Sequence, residues 1–256
     1  MNTLLIAASG KSTRFGGEPK AFAPVLGEVN VARTIRLARG YFSDIRVIVS
    51  EDTKKMAQEA LPGVPLIPIV TGQGDADSLR KALRKMETAG ELPDRLALCW
   101  GDAVFLSQRP FEQLGQSAED WDESVPALVA CAEDEHPYAW FEVEGVEIRR
   151  ARFRKEEMQP VAWGLHDQSL FALSTAPTLI ALDECRHEMG LDKYDENSYD
   201  RGRGEMRLLD VLAHLFLKGR AAEAVKISAR QVLGFNTKEE LREIEKILAT
   251  TNEVKK

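Results

Sequence analysis

Cysteine is scarce: Cys99, Cys131 and Cys185 are the only three in 256 residues, and no two stand in a CxxC spacing. That excludes a disulfide framework and a zinc ribbon, and it points to a reducing compartment. The four histidines, His136, His166, His187 and His214, lack HExxH spacing. Each therefore reads as a core or surface residue rather than a metal ligand. No apolar run approaches the roughly 18 residues of a membrane span. Leu4–Ala8 has no basic residue before it and is too short for a signal-peptide core. A cytoplasmic protein with no membrane partner is expected. An excess of positive charge is missing too. Lys+Arg 34 against Asp+Glu 41 gives a net charge of −7, which argues against non-specific nucleic-acid binding but leaves room for a local basic patch.

What is present is a rhythm. Leu4–Ala8 reads as a strand, Val31–Tyr41 as a helix, Ile45–Val49 as a strand and Thr53–Leu61 as a helix. Pro65–Val70 carries two prolines and reads as a short or edge strand. Helical Ser78–Thr88 and the buried strand Leu96–Trp100 follow. Such alternation with short connections predicts a mostly parallel sheet covered by helices on both faces. After Asp102 the rhythm changes. Val125–Cys131, Ala139–Val143, Val146–Phe153 and Ser169–Leu173 are strand-like and predict an antiparallel or mixed extension of the same sheet. The polar stretch Asp192–Glu205 reads as a long surface loop or lid. Helix Met206–Leu217, strand Ala224–Ile227 and helix Lys238–Ala249 complete the pattern, with 250–256 as a frayed tail.

Gly10-Lys11-Ser12-Thr13 follows a strand and imitates the end of a P-loop. The full motif needs a glycine where Leu5 stands, and a helix that Gly16, Gly17 and Pro19 forbid. The wider loop is more telling. Lys11, Arg14 and Lys20 face one acid, Glu18, so the loop is positive within a negative protein. Small residues Ala7, Ala8, Ser9 and Gly10 let backbone amides approach a phosphate chain. In an α/β sheet such a loop lies at the carboxyl edge, where ligands bind.

Ala8-Ser9-Gly10-Lys11-Ser12-Thr13-Arg14 with Pro19-Lys20 resembles the signature loop of nucleotidyltransferases, written A-A-G-x-G-T-R…P-K. These include N-acetylglucosamine-1-phosphate uridylyltransferases, other sugar-phosphate pyrophosphorylases and molybdenum-cofactor guanylyltransferases. Trp100-Gly101-Asp102 is similar to the family's metal-binding Gly-Asp. Gly204-Glu205-Met206-Arg207-Leu208-Leu209-Asp210 and Gly234-Phe235-Asn236-Thr237-Lys238-Glu239-Glu240-Leu241 resemble later uridylyltransferase segments. The departures are specific. Ser12 replaces a glycine, Tyr138-Ala139-Trp140 loses a Tyr-Gly pair, and His166-Asp167-Gln168 replaces an Asn-Thr-Gly strand. The segment Gly72-Gln73-Gly74-Asp75-Ala76-Asp77-Ser78-Leu79 is nearer to the Asp-Ser of cytidylyltransferases. An acetyltransferase activity, which the bifunctional uridylyl enzymes add, is not implied.

The resemblance implies an α/β, Rossmann-like (GT-A-like) three-layer fold with a mixed, mostly parallel central sheet. One domain over 1–249 is expected, its nucleotide-binding half ending near 120 and its acceptor-binding half following. It implies transfer of a nucleotidyl group from a nucleoside triphosphate to a small phosphorylated acceptor, a sugar phosphate first of all, with release of pyrophosphate. Arg14 and Lys20 are the implied catalytic residues. Ala7, Ala8, Ser9, Gly10, Lys11, Gly74, Ser78 and Gly101 are the implied nucleotide contacts. Asp102 and Asn236, 134 residues apart, are the implied ligands of Mg²⁺, which takes few protein oxygens. The rival readings are a molybdenum-cofactor-type or alcohol-phosphate nucleotidyltransferase, and an inactive nucleotide-binding regulator. Lys20, as a loop lysine, is expected to bury little surface. The basic run Arg149, Arg150, Arg152, Arg154 and Lys155 reads as a solvated strand face, and Trp140 and Trp163 as core or cleft walls.

Overall fold

The computed structural model describes residues 1–10, 12, 15–135, 137–153, 161–193, 204–227 and 231–253. The first half alternates strand and helix. β1 (Thr3–Ala7), a small hairpin β2 (Pro24–Val25) and β3 (Glu28–Val29), and helix α1 (Asn30–Ala38) come first. Then follow β4 (Asp44–Ser50), α2 (Lys54–Ala60), β5 (Leu66–Ile69), α3 (Asp75–Thr88) and β6 (Arg95–Trp100). The second half holds β7 (Ala103–Phe105), α4 (Arg109–Glu119), β8 (Ala127–Glu135), β9 (Ala139–Glu144), β10 (Glu147–Phe153) and β11 (Trp163–Ser174). Helices α5 (Thr175–Glu188) and α6 (Leu208–Leu217), strands β12 (Ala222–Lys226) and β13 (Val232–Gly234), and α7 (Lys238–Glu253) complete it.

One nine-stranded sheet runs in the order β5-β4-β1-β6-β11-β8-β12-β10-β9. Period-two alternation divides it between two cores. On β1, Leu5 faces the core made with α3, α5 and α6, while Leu4 and Ile6 face the one made with α1, α2 and α4. Strands buried on both faces read as continuous apolar runs, which is why β1, β4 and β6 were visible in the sequence. β5 is the edge strand its prolines required.

Three expectations need correction. The sheet is mixed but not mostly parallel: among the described residues four strand pairings are parallel and five antiparallel. Among the described residues no helix stands between strands β8 to β11, and consecutive strands joined by short turns fold back on a neighbour. Helices α4 and α5 were not expected, because Gly115 interrupts one pattern and Pro177 stands in the first turn of the other. A proline in the first turn lacks only an N–H that would be unpaired anyway. The last helix continues to Glu253 rather than ending at Ala249, and Thr250 Oγ1 donates to Lys246 O. The stretch 194–203, most of the expected lid, lies outside the described residues.

The start of α6 also moved, for a reason that matters below. Met206 is not helical. Its N–H donates to Gln73 O at 2.7 Å, and its carbonyl accepts from Ala76 N at 3.1 Å. Gln73 Nε2 donates to Gly204 O at 2.6 Å, and Leu208 N donates to Asp75 Oδ1 at 2.7 Å. Residues 204–208 therefore form a strap laid across the turn before α3. Gly74 makes this possible. Its φ is +114°, and a Cβ there would collide with the Met206 backbone.

Gly63 offers a control, with φ +77° and open space around it. Gly63→Ala is expected to cost about 1 kcal/mol for the left-handed backbone alone. Gly74→Ala should cost about 3 kcal/mol, because the strap must also move. Urea midpoints of the two variants check this order, and equal losses would mean that the strap is not locked to the turn.

Candidate active site

The chain runs from β1 outward to β4 and β5, then returns through α3 to β6 on the other side of β1. Strand order reverses between β1 and β6, and a crevice must open beyond their carboxyl ends. A cleft of about 1610 Å³ lies there. Of the sequence-predicted residues, Ala7, Ala8, Ser9, Gly10, Lys20, Gly74, Ser78 and Asp102 line it. Lys11 and Arg14 lie outside the described residues.

Gly101 joins the ends of two strands. Its N–H donates to Ala7 O at 2.8 Å, and a Cβ would come 2.9 Å from that oxygen and 3.1 Å from the Ala8 Cβ. Buried Asn30 holds the same turn, donating from Nδ2 to Gly101 O and Ala103 O at 2.9 and 3.0 Å. The end of β6 is thus pressed against the end of β1, and Asp102 is delivered to the cleft.

Lys20 stands opposite. Pro19 leads into a single 3-10 turn, Lys20–Phe22, and the Lys20 N–H donates to Ser12 Oγ at 2.9 Å. Ser12 has φ +48°, the left-handed region that a glycine would adopt without strain. Its hydroxyl compensates by accepting that bond, which explains how serine serves at this position. The Lys20 ammonium meets three oxygens: Asp102 Oδ2 at 2.5 Å, Phe235 O at 3.0 Å and Asn236 Oδ1 at 3.4 Å. The Lys20 side chain is only 14% exposed, so it buries more than a loop lysine was expected to.

Asn236 reaches this point through α7. Phe235 is fully buried and packs edge-on against Phe15 at 5.4 Å. Thr237 and Glu240 form a reciprocal capping box: Glu240 N donates to Thr237 Oγ1, and Glu240 Oε2 accepts from the Thr237 and Asn236 amides. The Asn236 backbone is thereby pinned, and its side-chain carbonyl turns to Lys20.

The turn 72–78 forms another wall. Ser78 Oγ accepts from Gly72 N at 3.1 Å and donates to Gly74 O at 2.9 Å, so its hydroxyl serves the turn itself. Beneath it Asp77 is a hub, accepting from Gln73 N at 2.9 Å, Arg80 Nε at 3.1 Å and Arg186 Nη1 at 3.0 Å. Burial works to raise its carboxyl, but the Gln73 N–H and the cations of Lys81 and Arg80 hold it below the usual carboxylate range. Asp75 behaves oppositely. It is exposed on the cleft wall, and the protein packed beside it pushes its carboxyl up to about 7. The N–H groups of Leu208 and Ala76 pull against that shift, while the charges of Asp167 and Glu205 reinforce it.

The basic run departs from a plain solvated strand face. Arg149 is an extra residue in a bulge between Ile148 and Arg150, and a bulge breaks the alternation that a regular strand would impose. Arg149 and Arg150 both line the cleft. Arg149 pairs with Glu144 and lies over the Phe216 ring, and Arg152 pairs with Glu142. Arg150 forms no ion pair among the described residues. Arg154 and Lys155 lie outside them. Trp140 is buried, whereas Trp163 is 61% exposed and does not line the cleft. His214 does line it, held between Glu184 at 3.2 Å and Glu188 at 3.6 Å.

Lys20 and an acid-bearing strand end, facing each other at an α/β crevice, can receive a polyphosphate. The model of the MobA-like NTP transferase domain matches residues 4–191, nearly three-quarters of the chain. The chain belongs to that family. It is a nucleotidyltransferase-family enzyme, and its relatives extend the similarity past residue 191. The bifunctional protein GlmU of Sinorhizobium medicae is 24% identical over 248 residues, 95% of this chain and 51% of that protein. GlmU of Thermus thermophilus is 24% identical over 250 residues, 97% of this chain and 52% of that protein. The chain spans about half the length of these curated relatives. The structure of the inositol-1-phosphate CTP transferase from T. maritima superposes with a TM-score of 0.70 at 18% identity, covering 97% of this chain and 95% of that one. At that identity the likeness shows the fold. Among the described residues no helix of this NTP transferase is long and apolar enough to cross a membrane.

Several contributors escaped sequence reading. Phe235 lends a backbone carbonyl, which no side-chain motif reveals. Asp75 and the strap 204–208 meet only through tertiary contact. The bulge at Arg149 left no signal beyond two adjacent arginines.

The raised Asp75 carboxyl has a measurable consequence. Between about pH 4 and 7 the folded chain keeps a proton that the unfolded chain has lost, so stability falls as pH rises through that window. Asp75→Asn keeps an oxygen acceptor for Leu208 N–H without the charge. That variant should flatten the fall, and urea midpoints that keep the wild-type pH slope would refute the assignment.

Proposed function

We propose that this protein transfers a nucleotidyl group from a nucleoside triphosphate to a small phosphorylated acceptor, releasing pyrophosphate. The observation that carries the reading is the convergence of Lys20, Asp102 and Asn236 at the mouth of the β1/β6 crevice. An oxygen of the acceptor's phosphate attacks the α-phosphorus, a new P–O bond forms, and the bond to the β-phosphate oxygen breaks. The attacking oxygen is already anionic, so no protein nucleophile is needed. The free cysteines fit that absence: burial raises the Cys185 thiol, the one on the cleft wall, to about 12.

The chain's own residues do three things. Amides around Ser9 and Gly10 approach the triphosphate, with Lys11 and Arg14 assigned to its β- and γ-phosphates. Lys20 neutralises charge at the α-phosphate, where it grows during transfer. The turn 72–78 and the strap behind it wall the nucleotide side. The oxygens of Asp102 and Asn236 fit Mg²⁺, a hard cation that takes one or two protein ligands and completes its shell with phosphate and water. When bound, that ion would supply further charge neutralisation between the phosphates. Arg149 and Arg150 give the opposite end of the cleft a positive field, suited to an anionic acceptor. A sugar phosphate is the first choice, on the motif segments at 204–210 and 234–241. A polyol phosphate is the second reading, favoured by the fold shared with an inositol-1-phosphate CTP transferase. A soluble nucleotide pool suits a cytoplasmic location, as do three cysteines without disulfides.

Pyrophosphate release, screened over four nucleoside triphosphates against sugar and polyol phosphates, tests the reading. One triphosphate and one acceptor class should turn over together, and release that ignores the acceptor would refute it. With the productive pair, Lys20→Met should lower kcat about 10²–10³-fold. Asp102→Asn, which keeps an oxygen ligand, should regain part of its activity at high Mg²⁺, and Asp102→Ala should not. Arg150→Ala should raise KM for the acceptor several-fold with little change in KM for the triphosphate. Steady-state kinetics at saturating partner substrate reads that split.

A further inference from the structure

The Lys20 ammonium has three protons, and it meets three oxygens: the carboxylate of Asp102, the backbone carbonyl of Phe235 and the amide carbonyl of Asn236. The Phe235 ring lies 5.9 Å from the same nitrogen and closes one side. This is a complete hard-oxygen cage around a cation, and two of its three oxygens are those assigned above to the divalent metal. The cage holds only one formal negative charge, on Asp102. An ammonium and a divalent ion drawing on one carboxylate would stand within a few ångströms of each other, and their repulsion in a partly buried site is poorly screened. Lysine and metal therefore cannot share the cage at low cost.

The backbone shows which of the two can move. The Lys20 amide is tied to Ser12 Oγ and the residue begins a 3-10 turn, so its main chain is held. The flexible part is the four-carbon stem, whose tip can exchange one set of oxygens for another. Lys20 also lines the cleft in which the phosphates are placed.

We propose that Lys20 is the resident cation of the metal position. A divalent ion takes Asp102 and Asn236 only as the Lys20 ammonium leaves them for the cleft, where phosphate oxygens receive it. Metal loading and delivery of the catalytic lysine are then one exchange. In the nucleotide-free protein the ion must displace a satisfied ammonium into water, so its affinity is held down. With a triphosphate in place the displaced ammonium gains new acceptors, and the two ligands help each other reciprocally. The inference rests on the metal reading of Asp102 and Asn236. The bland alternative is a static ion pair that ties the end of β6 to the loop and to α7. Under that alternative, removing the ammonium would loosen the cage without improving its hold on a metal.

Mn²⁺ binding without nucleotide separates these readings, followed by the electron paramagnetic resonance signal of the free ion. Lys20→Met is the main variant. Lys20→Gln, neutral and polar, is measured beside it so that a poorly folding methionine variant does not decide the outcome. Both should bind one Mn²⁺ at least about fivefold more tightly than wild type, and adding Asp102→Asn should abolish the gain. Equal or weaker binding in both Lys20 variants, with the Asp102→Asn background still losing the site, would overturn the exchange and leave the metal reading intact. Mn²⁺ binding indifferent to Asp102→Asn would remove the metal reading and the exchange with it.

Discussion

A single join, the Gly101 amide on the Ala7 carbonyl, sets where Asp102, the acid that meets Lys20, can stand. It brings two parallel strand ends so close that only a hydrogen fits at Gly101, and the next side chain, Asp102, is projected into the crevice. Buried Asn30 reinforces the join from α1 by satisfying carbonyls that the turn would otherwise leave unpaired. Opposite, a strained serine holds the Lys20 amide. The pair Lys20–Asp102 is thus less a local contact than the meeting of two separately braced loops. A buried ion pair is weak evidence for stability in general, since desolvation offsets much of the attraction. Here its geometry makes better sense as preparation of a charged site.

The second half of the chain contributes support more than chemistry. Strap 204–208 bonds backbone to backbone with the turn before α3, while Asp77 below gathers Arg80, Lys81 and Arg186. The 72–78 wall of the cleft is therefore held by residues more than a hundred positions away. A third small core of Phe15, Val104, Phe235 and the apolar face of α7 does the same for Asn236. Rigid placement of this kind is what charge-stabilising catalysis needs, because donors that must reorganise lose much of their effect.

Much of this protein was legible in its residues. Apolar runs such as Leu4–Ala7 and Leu96–Cys99 declare strands buried on both faces, since only such strands have no polar side. The clustering of Lys11, Arg14 and Lys20 in a small-residue loop marks a candidate anion site by charge and composition alone. Helix α7 was legible as Lys238–Ala249, and the Thr237–Glu240 capping box that starts it acts over the same short range. Where the reading failed, the cause was non-local. The parallel rhythm of the first half was carried too far, because strand direction after Asp102 depends on which neighbour each strand finds. Pro177 and Gly115 hid two helices that tertiary packing tolerates.

The sequence by itself determined the α/β class and a positively charged loop after the first strand, because periodicity, charge and turn chemistry act over a few residues, and its motif resemblance named Lys20, Asp102 and Asn236 as candidates. Only the tertiary structure decided that Lys20 is enclosed, that Phe235 offers a carbonyl beside Asn236, and that Arg149 and Arg150 both reach the cleft wall. It also decided that Asp75 accepts from the Leu208 amide, 133 residues away. Those facts depend on distance in space: 215 residues separate Lys20 from the carbonyl it touches, and no local rule spans that interval. Close packing joins such points, and it is also what raises one carboxyl and turns a loop lysine into the occupant of a cation cage.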